Sequence, residues 1–434
     1  MTVKEAVEYI SAHGWSQKKA GLERTTELLE RLGNPHKELR FVHVAGSNGK
    51  GSTCAMLERI LREAGYRTGF FPSPYIEDFR ERIQVSGECI SEEALCEITA
   101  RVREEADAME DHPSQFELIT AIGMIYFCRQ KCDIVILEVG LGGEFDATNV
   151  IDAPEVAVIT HIGLEHTEYL GDTLAKIART KAGIIKTGSD VVLYENDPEV
   201  MEVVEEVCRA RKCPLHIAGF SRIEVLSSTL EGQSFILHAA ESKEESHDVE
   251  LKLSLLGEYQ LHNAVTALTA VEVLRGRGFV ITEEAVKAGM AKTEWPARFE
   301  VLSREPLFIL DGGHNPQCAE ALAKSIETYL PDAVGKLIFL VGILADKDYG
   351  KIIDTLAPFA GEFVCVTPDS GRALPAEELA GNLRKKGLTA AACPDVKEGI
   401  ALSLKKAASS GKMVPVVAFG SLYLAGEIRS AFPR

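Results

Sequence analysis

Phe41-Val42-His43-Val44-Ala45 runs without a break into Gly46-Ser47-Asn48-Gly49-Lys50-Gly51-Ser52-Thr53, and that into Cys54-Ala55-Met56-Leu57-Glu58-Arg59-Ile60. The first run is short, β-branched and mostly apolar, the pattern of a buried parallel strand. The third has helical period. Strand, glycine-rich turn, lysine, hydroxyl and helix come in the order that a nucleotide phosphate needs. Glycines let backbone N–H groups curl around phosphate oxygens, and the helix N-terminus adds its positive end. The spacing departs from G-x-x-x-x-G-K-[ST], because the loop is shorter and Gly51 separates Lys50 from Ser52. The bland alternative is a tight strand-to-helix turn. On the phosphate reading, Asn48, Gly49, Lys50, Gly51 and Ser52 hold ATP, Lys50 reaches the outer phosphates, and the Ser52 hydroxyl ligates Mg2+.

Working outward, apolar runs alternate with amphipathic ones, which predicts an α/β protein with a mainly parallel sheet. Strands are expected at Phe41–Ala45, Ile134–Val139, Val156–Thr160 and Val191–Tyr194. A second series is expected at Phe308–Leu310, Leu337–Val341, Phe363–Val366 and Val414–Phe419, with helices at Cys318–Tyr329 and Ala376–Lys386 between its members. From Ile223 to Leu255 the alternation has period two and predicts a small antiparallel meander, and a long helix is expected from Gly257. Lys292-Thr293-Glu294-Trp295-Pro296-Ala297-Arg298 breaks the pattern. The expected organisation is therefore a P-loop-type domain over 1–294 and a smaller Rossmann-like α/β domain over 295–434.

A chain of 434 residues is long enough for two cores. Hydrophobic residues at 46%, charged residues at 26% and a net charge of -18 suit a soluble protein and disfavour nucleic acid as partner. The cysteines show no zinc spacing, no run of apolar residues suits a membrane span, and MTVKEAVEYI lacks the features of a signal peptide. A cytoplasmic, monomeric protein is expected, with no membrane partner.

Glu138 closes the apolar run Asp133–Leu137, where a parallel sheet presents carboxylates at its C-terminal edge; a lone acidic residue there is otherwise simply solvated. His166 and Lys181 read, from composition alone, as a loop histidine and a solvated helical lysine. The order of motifs says more. Ala45-Gly46-Ser47-Asn48-Gly49-Lys50-Gly51-Ser52 is followed by Ser73-Pro74-Tyr75-Ile76 with Glu81-Arg82-Ile83, and then by Leu137-Glu138-Val139-Gly140-Leu141-Gly142-Gly143-Glu144-Phe145-Asp146-Ala147-Thr148-Asn149. Leu164-Glu165-His166-Thr167-Glu168-Tyr169-Leu170-Gly171 and Lys181-Ala182-Gly183-Ile184-Ile185-Lys186 come next. Trp295-Pro296-Ala297-Arg298, Asp311-Gly312-Gly313-His314-Asn315-Pro316 and Gly420-Ser421-Leu422-Tyr423 complete the series. Together they resemble the folylpolyglutamate synthase and dihydrofolate synthase branch of the Mur ligase superfamily, from about residue 40 to the end. The departures are Tyr75 where the family usually has His, Tyr259 where His often precedes Gln260, and Ala297 where it usually has Gly.

The resemblance implies an ATP-dependent, Mg2+-requiring ligase that activates a carboxylate as an acyl phosphate and forms an amide with L-glutamate. It implies Mg2+ ligands at Ser52, Glu138 and His166, with two ions, and carbamylation of Lys181 by CO2, giving a further oxygen ligand. Lys50, Lys181 and His166 would carry the chemistry. Arg298, Asp311 and His314 would bind nucleotide from the second domain, and Asn263 would meet the base, although on a helix it also reads as a polar face residue. Ser73, Arg82, Phe116 and Asp146 would bind the folate, tetrahydrofolate or dihydropteroate; Phe116 reads equally as core. Two domains that close would exclude water from the acyl phosphate. The competing readings are another Mur-type amino-acid ligase, a P-loop NTPase or phosphotransferase that does not act on folate, and a nucleotide-gated switch.

Overall fold

The computed structural model describes residues 1–14, 21–239, 247–409 and 414–433. The chain divides into two compact units, one of Met1–Glu224, Leu237–Leu251 and His262–Thr293, the other of Val225–Ile236, Lys252–Leu261 and Glu294–Arg434.

The first unit is built on an eight-stranded sheet. Its strands are β1 (Phe41–Ala45), β2 (Thr68–Phe71), β3 (Gln84–Val85), β4 (Glu88–Cys89), β5 (Ile134–Glu138), β6 (Val156–Ile159), β7 (Asp190–Tyr194) and β8 (Leu215–Ala218), in the order β4-β3-β2-β5-β1-β6-β7-β8. Every pairing from β2 across to β8 is parallel, and β3 and β4 add an antiparallel edge. The fully buried apolar runs of β1, β5 and β6 put both faces against protein, as continuous hydrophobic strands require. On the face that carries Phe41 and Ala45, two apolar clusters form. One gathers Phe41, Phe71, Val135 and Leu137 with the helices Glu92–Ala106 and Gln115–Arg129. The other gathers Ala45, Ala157, Ile159, Val191 and Leu193 with the helices Leu174–Lys181 and Pro198–Arg211. The helix Lys50–Glu63 packs on β1, β2 and β5. Adjacent β1 and β5 end together, with Val44 beside Glu138, so the loops that follow them open at the same edge.

The opposite, N-terminal edge of this sheet is closed by ion pairs. Arg277 reaches Glu155 at 2.6 Å and Asp190 at 2.8 Å. Arg40 reaches Glu155 at 2.8 Å, and its guanidinium lies 4.2 Å from the centre of the Phe279 ring. His216 meets Asp190 at 3.0 Å. The carboxyl of Glu155 is held below its ordinary value by Arg40 and Arg277, against the opposing effect of burial.

The meander consists of β9 (Ile223–Thr229), β10 (Gly232–Leu237) and β11 (Val249–Leu253), side by side in chain order. The long helix begins one residue after Gly257, at Glu258, and ends at Gly276.

The second unit carries a six-stranded sheet in the order β12-β13-β17-β14-β15-β16. The strands are β12 (Glu300–Arg304), β13 (Leu307–Leu310), β14 (Leu337–Val341), β15 (Ala360–Cys365), β16 (Ala390–Ala392) and β17 (Val416–Phe419). The pairing of β12 with β13 is antiparallel and the rest are parallel. Alternate residues divide cleanly: Ile309, Phe339, Phe363, Val417 and Phe419 face one core, and Phe308, Leu310, Leu340, Val364 and Val416 face the other. The α/β class, the two mainly parallel sheets and the small antiparallel meander expected from the sequence are all present. The short strands β2, β3, β4, β8, β12 and β16 are additions. Among the described residues no helix is long and apolar enough to cross a membrane.

Candidate active site

The glycine-rich loop leaves β1 at Ala45 and is fastened to the end of β6. Ser47 and Asn48 both donate their N–H groups to the His161 carbonyl, at 2.8 and 3.2 Å. The Thr160 hydroxyl donates to the Asn48 carbonyl at 2.9 Å, and Ser47 Oγ to the Gly163 carbonyl at 3.0 Å. A Cβ on Gly46 would stand 1.8 Å from Thr160 Oγ1, so only glycine fits there. Gly49 sits at φ +86°, and a Cβ on it would meet the Asn263 side chain at 2.3 Å. The polar end of Asn263, on the long helix, therefore lies against this loop.

Lys50 begins the helix, and Ser52 is buried in its first turn. Lys50 Nζ donates to the Gly46 carbonyl at 3.0 Å and to the Ser47 carbonyl at 3.3 Å. Lys181, only 4% exposed, donates its Nζ to the same Gly46 carbonyl at 2.7 Å. Two ammonium groups thus converge on one backbone oxygen at a helix N-terminus. Burial, and then the neighbouring Lys50 charge, push the Lys181 amine down to about 7. The lysine that composition alone would leave in solvent is buried.

Glu138 is 3% exposed at the end of β5 and accepts from the Ser73 N–H at 3.0 Å. A buried carboxylate and the buried Ser52 hydroxyl are hard oxygen donors, the set that suits Mg2+. His166 stands in the left-handed region at φ 52°, capping the short helix Thr167–Leu170, with Nε2 3.7 Å from Glu165. Among the described residues no three His, Cys, Asp or Glu side chains group closely enough to hold a metal by themselves.

The expected folate residues fall in different surroundings. Ser73 is half-buried beside Glu138. Arg82 is 3% exposed, its guanidinium 5.0 Å from the centre of the Tyr75 ring. The stretch before Arg82 is braced by Glu81, which accepts from the backbone of Ile76, Glu77 and Asp78 at 2.7, 3.0 and 2.8 Å. Phe116 is buried, 6.0 Å from Phe71 between ring centres, and a Cβ on Gly140 would strike its ring at 2.6 Å. Asp146 is buried, and its carboxylate accepts from the N–H groups of Gly140, Leu141 and Thr148 at 3.1, 2.9 and 3.0 Å.

In the second unit, Asp311 follows β13. It accepts from the N–H groups of Phe299 and Gly313 at 2.9 and 2.7 Å. Burial raises its carboxyl above the ordinary range, while the Arg298 charge works against that. Arg298 donates to the Ala297 carbonyl at 2.9 Å, and His314 Nδ1 lies 3.0 Å from the Gly312 carbonyl. Ala297 and Phe299, on either side of Arg298, take φ values of +56° and +47°. A glycine would hold the Ala297 position without strain, which is the residue expected there.

Residues 44–271 match the Mur ligase middle domain, and residues 297–421 match the Mur ligase glutamate ligase domain. The chain belongs to the Mur ligase family. It is 34% identical over 420 residues to a dihydrofolate synthase/folylpolyglutamate synthase of Bacillus subtilis, covering 95% of this chain and 94% of that one. Against the folylpolyglutamate synthase of Mycobacterium tuberculosis, solved with ADP and AMPPCP, the TM-score is 0.88 at 30% identity, with 100% and 98% of the two chains covered. Against Escherichia coli FolC, solved with DHPP and ADP, it is 0.84 at 30% identity, with 99% and 97% covered. The resemblance to the folylpolyglutamate/dihydrofolate synthase branch read from the motifs is thus upheld, and the chain is an ATP-dependent ligase.

Sequence reasoning missed the residues that hold this Mur-ligase loop in shape. Thr160 and His161 act through a hydroxyl and a backbone carbonyl at the end of the neighbouring strand, and no spacing along the chain announces that. Lys186 was quoted only as the end of a motif. Its Nζ donates to the Asn149 carbonyl at 2.7 Å and to the Ile151 carbonyl, tying down the segment after Asp146.

Proposed function

We propose that this ligase joins L-glutamate to folates, as a folylpolyglutamate synthase, and to dihydropteroate, as a dihydrofolate synthase. The observation that carries the reading is the convergence of Lys50 and Lys181 on the Gly46 carbonyl at the head of a helix, in a chain of this family. There the Lys50 cation suits the triphosphate of ATP, and the depressed Lys181 amine beside it is open to carbamylation. Lys50 reorients from the carbonyl to the outer phosphates, and the loop N–H groups from Asn48 to Ser52 cradle them. Ser52, Glu138 and His166 would hold Mg2+, and the carbamate of Lys181 would be a ligand for a second ion. Mg2+ would neutralise charge on the transferring phosphoryl group. Asn263, whose side chain lies against Gly49, would meet the nucleotide base. Arg298, Asp311 and His314 would serve the nucleotide from the second unit, within an ATP-binding domain over 1–294 and a glutamate-ligase domain over 295–434.

The acceptor carboxylate attacks the γ-phosphate, giving an acyl phosphate and ADP. The glutamate amine then attacks the acyl carbon, and phosphate leaves. A depressed lysine provides the neutral amine that carbamylation requires: Lys181 Nζ adds to CO2 and releases a proton, and the resulting carbamate oxygens would face the metal. Ser73, Arg82 and Phe116 would form the acceptor side. The protein is read as a cytoplasmic monomer.

The test is ADP release with MgATP and L-glutamate, comparing dihydropteroate with tetrahydrofolate and weighing the products by mass spectrometry. Glutamate addition to both acceptors is expected. Equal ADP release without either acceptor would leave an ATPase, not a folate ligase. Carbamylation is read separately, as a carbamate carbon signal from 13C-bicarbonate that K181M lacks.

A further inference from the structure

The acceptor capacity of the Asp146 carboxylate is taken up inside the first unit. Oδ2 accepts from the Gly140 and Leu141 N–H groups, and Oδ1 from the Thr148 N–H and the Thr148 hydroxyl. Thr148 has one hydroxyl proton, and it goes to Asp146. The Thr148 oxygen is therefore left to accept from His43 Nε2, 2.9 Å away. His43 must then be the neutral tautomer protonated at Nε2, a state that its burial favours. Its Nδ1 has no hydrogen-bond partner among the described residues.

His43 lies mid-way along β1, between the two apolar clusters of that sheet face, and both it and Thr148 are 0% exposed. A buried imidazole with one unmet nitrogen costs free energy that an apolar residue would not. What the chain of hydrogen bonds gains is a fixed turn. The Gly140–Gly143 backbone has protein on both sides. A Cβ on Gly140 would enter the Phe116 ring, and one on Gly143 would stand 2.8 Å from the Lys181 carbonyl oxygen and 2.9 Å from its Cα. Glu144 N–H continues the attachment by donating to the Thr180 carbonyl at 2.9 Å.

We propose that His43 and Thr148 are positioning residues for the ligase reaction, which through Asp146 hold the Gly140–Gly143 turn and so fix the spacing between Phe116 and Lys181. This rests on the folate-ligase reading for what Phe116 and Lys181 do, but not for the hydrogen-bond chain itself.

The experiment uses the full chain and four variants: T148V and H43L remove the donors, while T148S and H43Q keep them. Amide hydrogen exchange without substrate should be at least ~10-fold faster over residues 139–147 in T148V and H43L, and close to wild type in T148S and H43Q. In steady-state assays T148V and H43L should lose about 10-fold in kcat and raise the acceptor KM several-fold, with the MgATP KM within about twofold of wild type. T148S and H43Q should restore both values. Unchanged exchange in T148V and H43L overturns the proposal, and so does faster exchange with unaltered kcat and acceptor KM. If the wild-type protein adds glutamate to neither acceptor, the folate reading fails on its own, and the exchange measurement still decides whether His43 and Thr148 hold the turn.

Discussion

The two ends of the eight-stranded sheet handle charge in opposite ways. At the N-terminal edge, Arg40, Glu155, Arg277, Asp190 and His216 pair among themselves within 2.6–3.0 Å. At the C-terminal edge, Lys50 and Lys181 direct their protons to a backbone carbonyl that they share. The first arrangement is complete within the protein and its effect is on stability. Among the described residues the second makes no ion pair, which raises the free energy of the resting site and lowers it when an anion binds. A parallel sheet with its ligand at the carboxyl ends of the strands separates the two tasks by the length of a strand.

Removing one cation from each edge should separate these effects. K50M is the sharpest test, with an expected fall of about 1,000-fold in kcat/KM for MgATP and a melting temperature within a few degrees of wild type. K181M should follow with a loss of about 100-fold in kcat, unrelieved by bicarbonate, and no loss of thermal stability, because a methionine avoids burying an amine. A K50M or K181M protein that loses stability in proportion to its activity would erase the distinction between the edges. R277M is the converse: about 1–2 kcal/mol less stable in urea unfolding, since Glu155 keeps only Arg40 and Asp190 only His216, with kcat within about twofold of wild type. A large kcat loss in R277M would show that the far edge reaches the site after all.

The same contrast explains what could be read from the chain. The central strands were legible because β1, β5, β6 and β7 are short apolar runs whose burial on both faces admits few other residues. The phosphate loop was legible because it is local: every part from Gly46 to Ser52 lies within one turn. Edge strands such as β3 and β16 were not, since two or three residues of ordinary composition carry no periodicity. Nor was the burial of Lys181, which is set by the carbonyl of Gly46, 135 positions earlier. Asp146 was read as a substrate contact from its motif alone. Its bonds to Gly140, Leu141 and Thr148 depend on how the segment folds back, and that is invisible in the spacing.

His43 lies between the two edges, and its pH response probes the wall that joins them. Burial pushes its imidazole down to about 3, and the nearby Lys186 charge acts in the same direction. The unfolded chain takes up a proton there near pH 6.5, whereas the folded chain refuses it until about pH 3. Between those values the unfolded state binds more protons, so stability falls as pH falls, by about 1.4 kcal/mol per pH unit. At pH 5 the wild-type protein should have lost about 2 kcal/mol through this residue. H43Q keeps a donor for Thr148 but cannot be protonated. Its stability at pH 7 is not the test, because the swap alters packing; the test is the difference between pH 7 and pH 5 in urea titrations of both proteins. Carboxylates and other histidines titrate in both and cancel. The gap should shift by about 2 kcal/mol in favour of H43Q on acidification. Parallel acid profiles would mean that His43 accepts a proton in the folded state, and a charged imidazole would then stand in the sheet between its two edges.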